Sequence, residues 1–369
     1  MRRPGIDTES LWLVAATATA VLALRSLFAP TERPRQARQA RSDRASSTHA
    51  AAVMQPDRGR ESTTPLDIPR RGWKDILWRT YEQINDDRLL AIAAGIVFYG
   101  LLAVFPAITA LVSCYGLFAD ASTISDNLQT LAMVLPAGSF QIVQDQIARV
   151  LAKGPASLGF TFLFGIALAL WSANAGVKAV IDALNVVYDE REKRSFIKLN
   201  ALSLAFTCGG IAALLLMVSA VVAFPLAMDR IGLAQDSKLL FSLARWPLVL
   251  LVVMVALGLL YRFGPSRPGA RWEWLSIGTI AAAALWLVGS LLLSWYLSNF
   301  GNYDATYGSL GAAIGLMMWM WMSAIMVLCG AELNAEIEHQ TAMDTTVGPG
   351  RPMGARGATM ADTVGRASA

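Results

Sequence analysis

Charge is what this sequence has least of. Only 16% of its residues are Asp, Glu, Lys or Arg, where a soluble globular protein carries about 25%. Hydrophobic residues make up 55%, and the two figures together point to a chain that crosses a membrane several times. Histidine is nearly absent. His49 and His339 lie in or beside polar flanks, which excludes an H-E-x-x-H zinc site and leaves almost nothing for histidine acid–base chemistry. Three cysteines, Cys114, Cys208 and Cys329, all fall in apolar runs without a CxxC pair. They read as small membrane-buried residues, not as disulfides or ligands. No G-x-x-x-x-G-K-[ST] occurs, so ATP use by this chain is not expected. No cofactor or metal is implied.

The net charge of +4 is unevenly placed. Residues 1–70 carry +4, residues 71–341 carry −1 and residues 342–369 carry +1. The basic balance therefore belongs to the flanks and does not describe a nucleic-acid-binding face. Nucleic acid is not an expected partner. Membrane lipids are, and a homo-oligomer is left open.

Uncharged runs set the organisation: an all-α, polytopic membrane bundle of six spans, with a possible further anchor at the N-terminus. Leu11 to Leu24 is 14 apolar or small residues, reaching Phe28 if Arg25 snorkels. It suits an anchor, an interfacial helix or a signal-peptide core, and no clear A-x-A cleavage site follows it. Residues 29–70 hold five prolines and eight arginines but no lysine. They read as a disordered linker. Residues 71–88 form an amphipathic helix, with Trp73, Ile76, Leu77, Thr80, Tyr81 and Ile84 on one side. The membrane domain is placed at 71–341. Its spans are read at 89–118 (with a bend or re-entrant break at Pro106), 157–175, 200–224, 246–261, 274–298 and 308–331. Residues 342–369 are Gly-, Thr- and Arg-rich and read as a disordered cytoplasmic tail. Segments assigned to the inner side carry twelve Lys and Arg against five outside. Both ends of the six-span body are therefore expected in the cytoplasm.

Three groups of polar residues are candidates for function. Asn174, Lys178, Asp182 and Asn185 follow at i, i+4, i+8 and i+11, which aligns them along one helical face. Lys178 and Asp182 are spaced to pair. The stripe either lines a hydrophilic cavity in the bundle or faces the cytoplasm as an ordinary amphipathic surface. Asn299, Asn302, Tyr303, Asp304 and Tyr307 crowd the turn between the last two spans. They suit a gate or headgroup-contacting loop, or a tight connection whose side chains satisfy freed backbone groups. Glu332 and Asn334 close the last span. Glu332 follows 24 uncharged residues and is spaced to meet Lys178 or Arg262, or to end the helix in water. Gly308, Gly311 and Gly315 mark a small-residue seam. Met317, Met318, Met320 and Met322 read as adaptable packing.

Four stretches carry a resemblance. They are NFGNYDATYGSLGAAIGLMMWMWMSAIMVLCGAELNAE from Asn299, AAGIVFYGLLAVFPAITALVSCYG from Ala93, LWSANAGVKAVIDALNVVY from Leu170, and LYRFGP from Leu260. Together they resemble the YihY/BrkB family of bacterial inner-membrane proteins, once labelled ribonuclease BN. The resemblance covers roughly residues 71–340 and implies a multi-pass inner-membrane protein. Two functions compete. A transporter or handler of lipid-like molecules fits the spans and polar stripe. A nuclease needs clustered carboxylates or histidines around metal ions, whereas the acidic residues here are scattered and the body's net charge would repel RNA. A non-transporting scaffold has no positive signature.

Overall fold

Long apolar runs become helices because in hydrocarbon every backbone N–H and C=O must be satisfied within its own segment. The computed structural model describes residues 56–118, 155–218, 235–300 and 311–368, all within one compact unit, Ala51–Ala369. Its helices are α1 (Arg70–Asp86), α2 (Leu89–Phe118), α3 (Pro155–Val187), α4 (Phe196–Val218), α5 (Gln235–Phe263), α6 (Trp272–Phe300), α7 (Gly311–Glu338) and a single turn, α8 (Thr359–Asp362). Among the described residues the only β pairing is an isolated bridge between Ala270 and Thr346.

The bundle is all-α. Leu163–Val187, Phe196–Met217, Trp272–Tyr296 and Ala313–Glu338 are long and apolar enough to cross a bilayer, and Leu89–Ala103 and Pro247–Phe263 are shorter apolar helices. These six occur in the expected order. No re-entrant break is seen at Pro106, because α2 stays helical on both sides of it. The proline removes one backbone donor there without ending the helix. The expected anchor at 11–28 and the first part of the linker, 29–55, lie outside the described residues.

α7 is the central element. It packs against α6, α2, α1 and α3, while α2 and α3 form the most extensive pair. Leu184, Tyr188, Tyr261, Leu275, Leu328 and Ala331 meet in the apolar core. The Tyr261 hydroxyl donates to the Val327 carbonyl at 2.7 Å and ties α5 to α7. α6 and α7 touch backbone to backbone. A Cβ on Gly278 would run into the Gly330 carbonyl and the Asn334 side chain, so glycine is what permits this crossing. Nearby, Trp286 donates to Ser323 at 3.0 Å and Trp319 to Ser290 at 3.3 Å. The methionines act as packing: Met320 reaches Gly100, and Met326 reaches Gly289.

Two expectations of disorder are overturned. Residues 56–70 carry short 3-10 turns at Pro56–Arg58 and Pro65–Asp67, and Arg60 and Ile68 are buried. Residues 342–368 are packed too, with Arg356, Ala358, Met360 and Ala361 buried. Neither flank has the apolar surface to fold alone. Arg60 ties the first flank to the second, the Ala342 N–H returns a bond to the Arg60 carbonyl at 2.7 Å, and Arg356 folds the second flank onto its own carbonyls. Arg60 donates to Gln340 (3.1 Å) and Gly365 (2.7 Å). Arg356 donates to the Ala342 and Ala361 carbonyls at 2.7 and 2.6 Å. α1 is also rotated from its expected setting. Ile76 and Thr80 are buried as expected, but so are Asp75 and Arg79, while Leu77 and Tyr81 are exposed. The face it turns inward meets a polar cap, where paired charges are accommodated.

Candidate functional site

The last two turns of α7 are polar yet buried. Glu332, Asn334, Glu336 and Glu338 are 0%, 0%, 2% and 0% exposed. Helical spacing divides them into two rows. Asn334 and Glu338 face α6 and the loop before it. Asn334 Oδ1 accepts the Gly278 N–H at 2.8 Å. Glu338 receives both forks of Arg267 at 2.6 and 2.9 Å, and Thr345 Oγ1 at 3.0 Å. Burial alone would lower the Arg267 pKa, but the Glu338 carboxylate more than offsets it and holds the guanidinium charged. Arg267 also stacks on the Tyr188 ring, 4.1 Å from its centroid.

Glu336 and Glu332 form the other row. Glu336 pairs with Arg79 of α1, which also donates to Gln340 Oε1 at 2.8 Å. Glu332 differs from the other three. Both its carboxylate oxygens are buried, and among the described residues neither has a hydrogen-bond partner. Glu336 and Asp87 are near enough to act on it electrostatically, and it acts in turn on Tyr188, whose buried hydroxyl lies beside Arg267 but makes no well-formed hydrogen bond among the described residues. More than nine in ten buried polar groups have a partner, so this concentration of unpaired ones is the unusual feature of the bundle. Asp87, in the corner between α1 and α2, has its pKa pushed up to about 6 by burial, with help from Asp189, Asp86 and Glu336.

The α3 stripe does not act as one unit. Lys178 Nζ donates to Asn200 of α4 at 2.6 Å. Asp182 is exposed and the expected Lys178–Asp182 pair is not formed, because Asn200 supplies a nearer acceptor across the α3–α4 contact. Asn174 Oδ1 is buried without a partner. Asn185 serves as a clasp: its Oδ1 accepts the Ser266 N–H at 2.7 Å and its amide donates to Glu192 at 3.2 Å. Neither Lys178 nor Arg262 reaches Glu332, since Arg262 stacks instead on Trp272 at 4.5 Å. Asn299 is exposed and donates to the Trp295 carbonyl at 2.8 Å. Asn302, Tyr303, Asp304 and Tyr307 lie outside the described residues. The residues that organise this end and that sequence reasoning missed are Arg79, Asp87, Arg267 and Glu338. Each is charged and close to an expected interface, so spacing along the chain gave no sign of burial.

Residues 80–352 match the family described as Virulence factor BrkB. The chain belongs to the BrkB family. A ribonuclease-like protein of Bacillus subtilis, YfkH, is 32% identical over 247 residues, 66% of this chain and 88% of that protein. A UPF0761 membrane protein of Alkalilimnicola ehrlichii is 26% identical over 275 residues, 73% of this chain and 60% of that protein. Another, from Aliivibrio salmonicida, is 24% identical over 262 residues, 69% of this chain and 81% of that protein. No solved structure matches. The BrkB match takes in all six apolar helices and Glu332. It leaves out residues 56–79 and 353–368, which complete the polar cap here.

Proposed function

We propose that this chain is a multi-pass protein of the bacterial inner membrane that moves or handles an anionic or lipid-like solute. Glu332 carries the reading. It is a fully buried carboxyl, at the end of an uncharged span, with no hydrogen-bond partner among the described residues. An ionisable residue at membrane depth by default marks a path or site, because its insertion costs about 2.5–3.5 kcal/mol. Asn174, Tyr188 and Asn334 each add a buried polar atom without a partner, and Lys178 places a cation in the same bundle. Water or solute entering between α2, α3 and α7 would satisfy Glu332, while Asn334 lies on the α6 side. The inner ends of the spans carry most of the arginines, which supports placing both described ends of the bundle in the cytoplasm.

Nuclease activity, suggested by the name of the Bacillus subtilis relative, has less support. Among the described residues no three Asp, Glu, His or Cys side chains stand together as metal ligands. Three carboxylates at the site (Glu336, Glu338 and Glu190) are engaged by arginine or lysine.

Proteoliposomes test the transport reading. The purified protein should speed the inward movement of a fluorescent phosphatidylglycerol, followed by dithionite quenching. Glu332→Gln and Lys178→Met should each slow it by at least about tenfold, the size of losing one buried polar contact. A wild-type rate equal to that of protein-free liposomes would count against it.

A further inference from the structure

A second feature stands apart from Glu332, at the ends of three spans. The apolar part of α5 stops at Phe263, α6 starts at Trp272, and α4 starts at Phe196. Between them lies an open pocket of about 430 Å³, lined by Arg194, Arg262, Arg267, Phe263, Gly269 and Val347 among others. Arginine dominates the lining, and no carboxylate lines it.

The three guanidiniums are engaged to different degrees. Arg267 is neutralised by its two bonds to Glu338. Arg194 donates Nη2 to the Gly264 carbonyl at 2.6 Å and lies 3.5 Å from Glu192, but its Nη1 is buried without a partner. Among the described residues no carboxylate pairs with Arg262, and its Nε and Nη1 are both buried without a partner. Its plane is fixed against Trp272 (4.5 Å) and Phe263 (5.6 Å). Stacking holds the guanidinium in place at the pocket with its charge not neutralised by a carboxylate, and a planar fork suits recognition of phosphate. Leaving buried donors dry and unused is costly.

We propose that this pocket binds a phosphate group, and that in the membrane the group is the headgroup phosphate of an anionic lipid. The position supports the lipid source. Phe196, Phe263 and Trp272 are 79%, 48% and 51% exposed around the pocket, at the depth where aromatic residues anchor to the headgroup region. Acyl chains could then lie along the exposed apolar surfaces of α4 and α5. The site stands whether or not the chain moves a solute, since Arg194 and Arg262 lie apart from Glu332 and only Arg267, through Tyr188, borders that cluster.

The test uses the full chain in neutral detergent, titrated with short-chain phosphatidylglycerol, with phosphatidylcholine and with inorganic phosphate, and read by native mass spectrometry and thermal stabilisation. Phosphatidylglycerol should bind, and Arg262→Gln should weaken it by about tenfold, the loss of a charge-assisted bond. Val347→Glu adds a carboxylate at an exposed edge of the pocket without disturbing the arginine packing, and it should weaken binding similarly. Arg262→Lys should fall between, keeping charge but losing the fork. Arg71→Gln, on an exposed arginine elsewhere, should change nothing. Variant-sensitive binding of phosphatidylglycerol alone identifies the lipid as the source, and the same sensitivity for inorganic phosphate alone identifies free phosphate. Failure of both probes to bind, or equal binding by wild type, Arg262→Gln and Val347→Glu, overturns the proposal.

Discussion

Asp87 is the residue whose chemistry is most easily read out in solution. Its pKa rises to about 6 because burial and three neighbouring carboxylates disfavour its charge. The folded protein thus holds this proton more tightly than the unfolded chain, and stability falls as pH rises from about 4 through 6. Two pKa units correspond to about 3 kcal/mol, but Asp87 is partly solvated and screening reduces this to about 1 kcal/mol. Asp87→Asn should raise the melting temperature by about 2–4 °C at pH 7.5 and leave it unchanged at pH 4. An equal shift at both pH values would show that the charge is not the cause. At this scale the sequence was only partly legible. Glu332 stands out as the first charge after an uncharged run. Its lack of a partner does not, because spacing alone allowed Lys178 or Arg262 to reach it. Side-chain competition decided otherwise: Asn200 took the lysine and Trp272 the arginine.

Helices were far more legible than their contacts. Hydropathy alone placed six apolar segments in order, since spanning length and uncharged composition are properties of one segment at a time. Which glycine makes the close crossing depends on two segments. Of the expected seam at Gly308, Gly311 and Gly315, Gly308 lies outside the described residues; a tight α6–α7 approach falls at Gly278 and Gly330, which spacing did not single out. Gly330→Val should therefore destabilise the protein by about 1–3 kcal/mol through overpacking against Ala282 and the Gly278 carbonyl. The same change at Gly209, which has open space around its α-carbon, should cost less than about 1 kcal/mol. Chemical denaturation in detergent compares the two, and equal losses would contradict the assigned crossing. α1 makes a similar point. Its amphipathic period was clear, but its buried face follows the arginine and aspartate partners supplied by distant flanks, which no local pattern reveals.

Among the described residues, 56–69 and 342–368 pack against the polar end of α7 and against α1. Arg58 holds Asp75 at 2.7 Å, and Ser368 donates to the same carboxylate through its backbone and hydroxyl at 2.9 and 2.6 Å. Burial would raise the Asp75 pKa, but these bonds hold it below its usual value, so the stability it lends is present above that usual value and is lost as pH falls below it through the depressed folded one. Composition marked both flanks as disordered because each is polar when taken alone. Their order comes from pairing residues about three hundred positions apart, which composition does not see. Deleting residues 357–369 strips acceptors from Arg60 and Arg79 and donors from Asp75. Each group keeps another partner, Arg58 for Asp75, Glu336 for Arg79 and Gln340 for Arg60. Losing one bond at each of three such sites should still cost on the order of 3 kcal/mol, and thermal unfolding should show it as a clear drop in melting temperature. No change on deletion would mean that the cap does not bear on the bundle.

The functional reading depends on whether the unpaired carboxyl of Glu332 meets water or solute inside the bundle. Cysteine accessibility measures this directly. In a background with Cys114, Cys208 and Cys329 replaced by serine, Glu332→Cys and Leu328→Cys would be exposed to a small, membrane-impermeant thiol reagent in inside-out and right-side-out vesicles. Both positions are fully buried, but only the first lies among unpaired polar groups. The prediction is that position 332 is modified from the cytoplasmic side while position 328 stays inert. Equal inertness at the two positions, in folded protein, would contradict a hydrated path at Glu332.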